Sequence, residues 1–151
     1  MKLSPDLKEF IELLNSHKVE FLIVGAHALA FHGLPRYTRD VDFFIASTPE
    51  NAAALANVID AFGFASTRLK AADFLVPDSV IQLGVEPHRI DLLTGLSGID
   101  WSEAWETKQS GTIGGLPVFF LSRENYIKNK LASGRPQDLA DVARLRAMDS
   151  H

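Results

Sequence analysis

The sequence predicts one domain of the α/β or α+β class, in which a mixed β-sheet carries helices packed on it. Three observations predict this class. Helical patterns alternate with short strands up to residue 63, strands cluster up to residue 94, and helical patterns return after residue 122. A length of 151 residues corresponds to about one domain. We therefore expect residues 1–151 to be a single domain with a helical C-terminal tail over about residues 122–147.

The first part of the chain predicts three helices and two strands. Ser4-Pro5 and Thr48-Pro49 each place a capping side chain before a proline, a combination that is typical of a helix start. Apolar residues recur at helical spacing after the first of these starts, and a β-branched apolar run ends at Gly25. The predicted elements are a helix over residues 5–16, a strand over 19–24, a helix over 26–32, a strand over 40–46 and a helix over 49–62.

The second part predicts mostly strands, followed by two helices. A turn at Gly114-Gly115 predicts a β-hairpin, and Ser122 and Pro136 mark the starts of helices. Residues 101–105 are too short a stretch to decide whether they form a helix. The predicted elements are strands over residues 74–76, 80–85 and 88–93, a hairpin over 111–121, a helix over 122–133 and a last helix from residue 136.

The composition excludes several classes of function. The chain is 46% hydrophobic and 23% charged and has no cysteine, which excludes disulfide frameworks, zinc ribbons, iron–sulfur sites and thiol catalysis. The net charge of −4 argues against a general polyanion-binding surface, so a contact with nucleotides needs a local positive patch or a metal. No apolar run approaches the about 20 residues of a membrane span, and residues 1–5 do not resemble a signal peptide. We therefore expect a cytoplasmic protein without membrane contact.

Three aspartates occupy predicted strand positions, where aspartate is normally depleted. Asp40 and Asp42 belong to one strand, and Asp91 lies between apolar neighbours in another. Residues two apart in a strand point to the same face, with Cα atoms about 6.6 Å apart, so Asp40 and Asp42 share one side of the sheet. If the two strands are adjacent, the three carboxylates converge.

Converging carboxylates repel one another, so a cation has to offset their charge. Hard oxygen ligands on a rigid strand suit Mg²⁺ or Mn²⁺, and a pair of such ions is a known arrangement for phosphoryl transfer. A simpler hypothesis competes with this one, because an Asp-x-Asp beside a turn is often a solvated strand edge.

An anion site is predicted shortly before these acids. Val24-Gly25-Ala26 ends a strand and opens a helix, which leaves backbone N–H groups available to an anion. Gly25 has no side chain, so a phosphate can approach the main chain closely. Thirteen residues separate Ala26 from Asp40, enough for a short helix and a loop that returns to the neighbouring strand.

These residues together resemble the signature of the DNA polymerase beta-type nucleotidyltransferase superfamily. That signature has an apolar residue, Gly, and Gly or Ser, then Asp-x-Asp or Asp-x-Glu, with a third acid on a later strand. The string over residues 25–45 and the tail over residues 126–141 are similar to the minimal nucleotidyltransferases of bacteria and archaea, many of which belong to toxin–antitoxin systems. The resemblance covers about residues 19–145. The matching residues are Val24-Gly25-Ala26, Asp40-Val41-Asp42-Phe43 and Ile90-Asp91-Leu92.

The resemblance implies a nucleotidyltransferase core that transfers a nucleoside monophosphate from an NTP such as ATP to an acceptor hydroxyl. Asp40 and Asp42 would hold a metal at the β- and γ-phosphates, and together with Asp91 they would hold a second metal at the α-phosphoryl group. Asp91 would also be the general base. No His, Ser or Cys nucleophile is required in this chemistry.

The resemblance also implies which residues bind the nucleotide. Ala26 departs from the family pattern, which has Ser or a second Gly there, so a hydroxyl contact to the phosphates is missing. Competing interpretations exist for the basic side chains. Arg36 and Arg39 would be solvated loop charges or partners of the acids, and Lys130 and Arg135 would lie on an exposed helix face. The candidates for nucleotide binding are Gly25, Ala26, Arg36, Arg39, Lys130 and Arg135.

The acceptor and the partners stay open. The acceptor hydroxyl could belong to a protein side chain, a tRNA end or a small molecule, and a cognate toxin or antitoxin is the expected partner. An alternative function is a weak or inactive nucleotidyltransferase-fold binding protein, an antitoxin or subunit that acts by contact. A third hypothesis is a domain whose acids bind a structural cation.

Overall fold

The computed structural model describes residues 3–36, 38, 40–63, 68–84 and 89–149. Within these residues, helices and strands follow one another much as the sequence predicts. The helices are α1 (Pro5–Ser16), α2 (Gly25–Phe31), α3 (Pro49–Phe62), α4 (Trp101–Glu106), α5 (Arg123–Ser133) and α6 (Pro136–Met148). The strands are β1 (Phe21–Val24), β2 (Val41–Ile45), β3 (Val80–Leu83), β4 (Ile90–Leu93), β5 (Gln109–Ile113) and β6 (Leu116–Phe120).

These strands form a single six-stranded sheet in the order β3-β4-β2-β1-β6-β5. β2 and β4 are parallel, as are β1 and β6, and the other neighbouring pairs are antiparallel. The predicted mixed sheet and the α/β class are therefore confirmed. The predicted hairpin is also confirmed, because β5 and β6 pair on either side of Gly114-Gly115.

The alternation of side chains along β2 assigns helices to the two faces of the sheet. Phe43 projects toward α1, where its ring centroid lies 5.7 Å from that of Phe10. α1 in turn packs against α3. Phe44 projects to the other face and packs against Trp101 on α4, with ring centroids 5.0 Å apart. Asp42 shares the face of Phe44, so it lies on the side of the sheet away from α1 and α3.

The helix starts follow from local capping. Ser4, Thr48 and Ser122 each accept a hydrogen bond, through the side-chain oxygen, from the backbone N–H three residues later. Proline begins α1, α3 and α6, where its missing N–H removes no helical hydrogen bond. α3 ends at Gly63, whose φ of +101° few other residues adopt. No helix in the described part of the chain is long and apolar enough to cross a membrane.

The strand predicted over residues 74–76 is wrong, because Ala71–Leu75 form a 3-10 helix. The carboxylate of Asp73 accepts a hydrogen bond from the backbone N–H of Lys70 at 2.7 Å, which closes the turn. The buried ring of Phe74 then points into the core. An apolar triplet alone does not distinguish such a turn from a short strand.

The other differences concern boundaries. β2 begins at Val41, so Asp40 precedes the strand. β3 and β4 are shorter than predicted, and residues 85–88 lie outside the described residues. Residues 101–105, for which the sequence did not decide between helix and loop, belong to the helix α4. In this helix, Trp101 and Trp105 stack with ring centroids 5.3 Å apart.

Candidate functional site

Three strand ends meet at one edge of the sheet and bring the predicted carboxylates together. β1 and β2 are antiparallel, with Val24 opposite Asp42. β2 and β4 are parallel, with Asp42 opposite Asp91. Asp40 immediately precedes β2 at the same edge. The adjacency of the two acid-bearing strands, on which the sequence argument depends, is therefore confirmed.

Asp42 has a strongly raised pKa. Burial, the charge of Asp91, a hydrogen bond shared with Asp91 and the charge of Asp40 raise the pKa of Asp42 to about 7, against an opposing effect of Lys130. A carboxyl group with this pKa holds a proton over much of the range below neutral pH. In this protonated form, the Asp42 carboxyl group can donate the hydrogen bond that it shares with Asp91.

Arg89 supplies the positive charge that the other two acids face. Its Nε donates to Oδ1 of Asp91 at 3.0 Å, and its Nη2 lies 3.3 Å from Oδ2 of the same carboxylate. The same Nη2 lies 3.2 Å from Oδ2 of Asp40. One guanidinium therefore contacts two of the three predicted metal ligands.

The donor set suits a hard divalent cation in its chemistry. The three carboxylates offer oxygen ligands, and Oδ1 of Asp40 is buried and accepts no hydrogen bond within the described residues. As the side chains stand, however, no group of three or more His, Asp or Glu residues in that part of the chain is arranged to hold a metal ion. The chemistry of the three carboxylates therefore suits Mg²⁺ or Mn²⁺, whereas their arrangement with Arg89 in this structure does not form a metal site.

The turn between β1 and α2 requires glycine at position 25. The φ of Gly25 is +67°, in the left-handed region. A Cβ on this residue would lie 2.2 Å from Oδ2 of Asp42, which is far inside van der Waals contact. The missing side chain thus lets the carboxylate of Asp42 lie directly against the main chain at the start of α2.

A cleft of about 280 Å³ separates this turn from the C-terminal helices α5 and α6. A larger cavity of about 740 Å³ lies between α1, α2 and the β5–β6 hairpin, and its described walls hold no carboxylate. The smaller cleft is the one that contains the predicted nucleotide-binding residues. Its lining residues are Gly25, Ala26, Arg36, Asp42, Tyr126, Lys130, Arg135, Gln137, Asp138 and Asp141.

The cations of the cleft are paired with two buried aspartates of α6. Arg36 forms an ion pair with Asp141, and Nε of Arg135 donates to Oδ2 of Asp138 at 2.8 Å. Nζ of Lys130 lies 3.9 Å from Oδ1 of Asp138. Because Asp138 and Asp141 are only 3% and 1% exposed, they anchor these cations from inside the fold.

The described residues of the predicted site thus gather in one region. Arg39 lies outside the described residues. Asp40, Asp42 and Asp91 lie at the sheet edge, and Gly25, Ala26, Arg36, Lys130 and Arg135 line the cleft.

Sequence reasoning missed three residues of this region. Arg89 precedes Asp91 by two positions, a spacing that places both side chains on one face of an extended chain. Asp138 and Asp141 are three residues apart in α6, a spacing that places both on one helix face. The spacing in the sequence therefore indicates which of these side chains share a face, but it does not identify the distant residues that they contact.

Comparison with known proteins identifies the family of this chain. The family described as "Nucleotidyl transferase of unknown function (DUF2204)" matches residues 4–150. The chain belongs to this nucleotidyl transferase family. No curated protein matches the sequence.

Two solved structures are similar to this nucleotidyl transferase family member. A candidate nucleotidyltransferase from Thermotoga maritima has a TM-score of 0.56 and 14% identity, over 95% of this chain and 88% of that chain. An antigenic nucleotidyltransferase-like protein from Paracoccidioides brasiliensis has a TM-score of 0.49 and 17% identity, over 98% of this chain and 79% of that chain. The first likeness shows the fold, and the second is too distant to support an argument. None of these descriptions mentions a toxin–antitoxin system.

The pKa of Asp42 predicts how the stability of this family member depends on pH. The folded pKa of about 7 lies above the ordinary value of 3.8, so the folded state binds the proton more tightly. The free energy of unfolding of the metal-free protein should therefore fall by about 4 kcal/mol at most between about pH 4 and about pH 7, with little further change above that range. Urea unfolding across this range measures the effect.

Asp42→Asn should remove most of this pH dependence, and the exposed Asp60→Asn on α3 is the matched control that should keep it. An unchanged pH profile in Asp42→Asn would contradict the assignment of the shared proton to Asp42.

Gly25 and Gly63 form a matched pair for testing the close approach of Asp42. Both have positive φ, so alanine at either position should cost about 1 to 2 kcal/mol of stability from the backbone alone. Of these two positions, the added Cβ meets another group at Gly25, whereas at Gly63 no atom of the described residues beyond its chain neighbours lies within 4 Å. Gly25→Ala should therefore lower the free energy of unfolding more than Gly63→Ala. Equal losses would show that Asp42 does not lie against this turn.

Proposed function

We propose that this protein is a metal-dependent nucleotidyltransferase that transfers a nucleoside monophosphate from an NTP to an acceptor hydroxyl and releases pyrophosphate. The observation that carries the proposal is the pairing of Asp42 with Asp91 across β2 and β4. Asp42 of this pair lines a cleft whose other walls bear Arg36, Lys130 and Arg135. Carboxylates for a metal and cations for phosphates thus lie side by side, as phosphoryl transfer requires.

The phosphates of the nucleotide would bind in the cleft. Gly25 and Ala26 present main chain without a large side chain, and the three cations extend from the opposite walls. Asp138 and Asp141 already neutralise two of these three positive charges. A triphosphate therefore needs more positive charge than the cleft supplies, which favours its binding together with a divalent cation.

Asp42 and Asp91 would have different roles in the reaction. Asp42 lies on the cleft side of the pair, next to Gly25, whereas Asp91 lies on the side of β3, where Gln82 is its partner in register. We propose that the acceptor hydroxyl approaches from the β3 side and gives its proton to Asp91. A bound Mg²⁺ or Mn²⁺, held by Asp40, Asp42 and Asp91, would acidify that hydroxyl and neutralise charge on the phosphates.

The acceptor in this proposal is a hydroxyl of a protein side chain, a tRNA end or a small molecule. The resemblance to minimal nucleotidyltransferases of toxin–antitoxin systems supports a role beside a cognate partner protein. The net charge of −4 and the small cleft support an acceptor that a partner presents, because a negative net charge does not attract a free polyanion such as tRNA.

A second candidate function is a nucleotidyltransferase-fold protein that binds a partner without catalysis. The arrangement of Arg89 favours it, because this side chain contacts two of the three carboxylates and no metal-holding group of three is formed by the described residues. Transfer activity separates the two functions.

The transfer assay uses each of the four NTPs, labelled at the α-phosphate, with Mg²⁺ or Mn²⁺ and with tRNA, cell extract or the protein itself as acceptor. Wild type should label an acceptor, and Asp42→Asn and Asp91→Asn should each lower the rate by about 100-fold or more. Glu103→Gln is the matched control, since its carboxylate pairs with Lys128 away from the cleft and its rate should be unchanged.

Two results would contradict the proposal. The absence of transfer by wild type with every NTP and acceptor would favour the binding function. Transfer that persists at the wild-type rate in Asp42→Asn and Asp91→Asn would place the reaction elsewhere in the molecule.

A further inference from the structure

The guanidinium of Arg89 lies between two carboxylates that would otherwise be metal ligands. It contacts both oxygens of Asp91, at 3.0 and 3.3 Å, and Oδ2 of Asp40 at 3.2 Å. The Arg89 side chain is 31% exposed, so it can reach solvent from this position. Three of the four oxygens of Asp40 and Asp91 therefore face one cation that belongs to the chain itself.

The sequence and the strand pairing place this cation there. Arg89 precedes β4 by one residue and Asp91 by two, so both side chains lie on one face. The parallel pairing of β2 and β4 then brings Asp40 to the same place, one residue before β2. A planar guanidinium donates two parallel hydrogen bonds to a carboxylate, as it does here to Asp91.

We propose that Arg89 is an internal counter-ion that must leave Asp40 and Asp91 before a divalent cation can bind there. This inference rests on the proposed metal dependence of the same site. The guanidinium and a divalent cation repel each other and need the same carboxylate oxygens, so the two cannot occupy the site together. Oδ1 of Asp40 is buried and accepts no hydrogen bond within the described residues, so Arg89 leaves one oxygen of this carboxylate unsatisfied.

The exchange has a consequence for metal affinity. Every metal ion that binds must break the contacts of Arg89 with Asp40 and Asp91, and the lost ion pairs weaken the apparent affinity. A side chain of similar size without the charge should therefore strengthen metal binding, even though it removes contacts from the metal-free protein.

The first experiment measures Mn²⁺ binding by calorimetry in the full chain, without nucleotide. Arg89→Gln should bind Mn²⁺ about 2- to 30-fold more tightly than wild type, the range that corresponds to losing two partly exposed ion pairs. Lys128→Gln is the matched control, because it removes one positive charge from an ion pair with Glu103 away from this edge. Its Mn²⁺ affinity should equal that of wild type.

The second experiment uses wild type, so it stays valid if Arg89→Gln does not fold. The Nε–H resonance of Arg89 is followed by nuclear magnetic resonance while Mg²⁺ is added. The resonance should move, and its exchange with water should become faster, as the hydrogen bond to Asp91 is lost.

The results separate this inference from the proposed function. Equal or weaker Mn²⁺ binding by Arg89→Gln, or an Arg89 resonance that Mg²⁺ saturation leaves unchanged, would overturn the role of Arg89 even if wild type transfers nucleotides. Tighter binding by Arg89→Gln would support that role even if no transfer is found, and would leave the transferase proposal as the one that failed.

Discussion

The repulsion among Asp40, Asp42 and Asp91 is the constraint on which the rest of the site depends. The core imposes it, because the buried Val41 and Phe43 fix the register of β2 and thereby place Asp42 opposite Asp91. A slip of one residue would relieve the repulsion but would turn the apolar residues of β2 to the other face of the sheet. The packing of the sheet therefore holds the acids together against their charge.

Two features offset the repulsion while no metal is bound. A proton lies on Asp42, whose pKa is raised to about 7 by burial and by its acidic neighbours. The guanidinium of Arg89 faces Asp40 and Asp91. In the proposed function, a divalent cation would replace both features, since the proton dissociates near neutral pH and Arg89 is partly exposed. The same two features let the carboxylates pack together in the metal-free protein.

Much of the fold could be predicted from the sequence, because its signals are local. Short apolar stretches marked β2 and β4, and Gly114-Gly115 marked the hairpin. The site was harder to predict, because the residues that pair in it are distant from one another in the sequence. Arg36 contacts Asp141 across 105 positions, and no local pattern identifies such partners. The 3-10 helix at Ala71–Leu75 was missed although its cause is local. The hydrogen bond from Lys70 to the Asp73 side chain stabilises a turn, whereas the apolar triplet over residues 74–76 is typical of a strand.

A crystal structure with Mn²⁺ and a non-hydrolysable NTP analogue tests the central claim most directly, because the anomalous scattering of manganese locates the ion. The account predicts a manganese peak coordinated by Asp40, Asp42 and Asp91, with the triphosphate in the cleft beside Gly25 and with Arg89 turned away from both Asp40 and Asp91. Manganese bound elsewhere, or Arg89 still in contact with Asp40 and Asp91 beside a bound nucleotide, would contradict it.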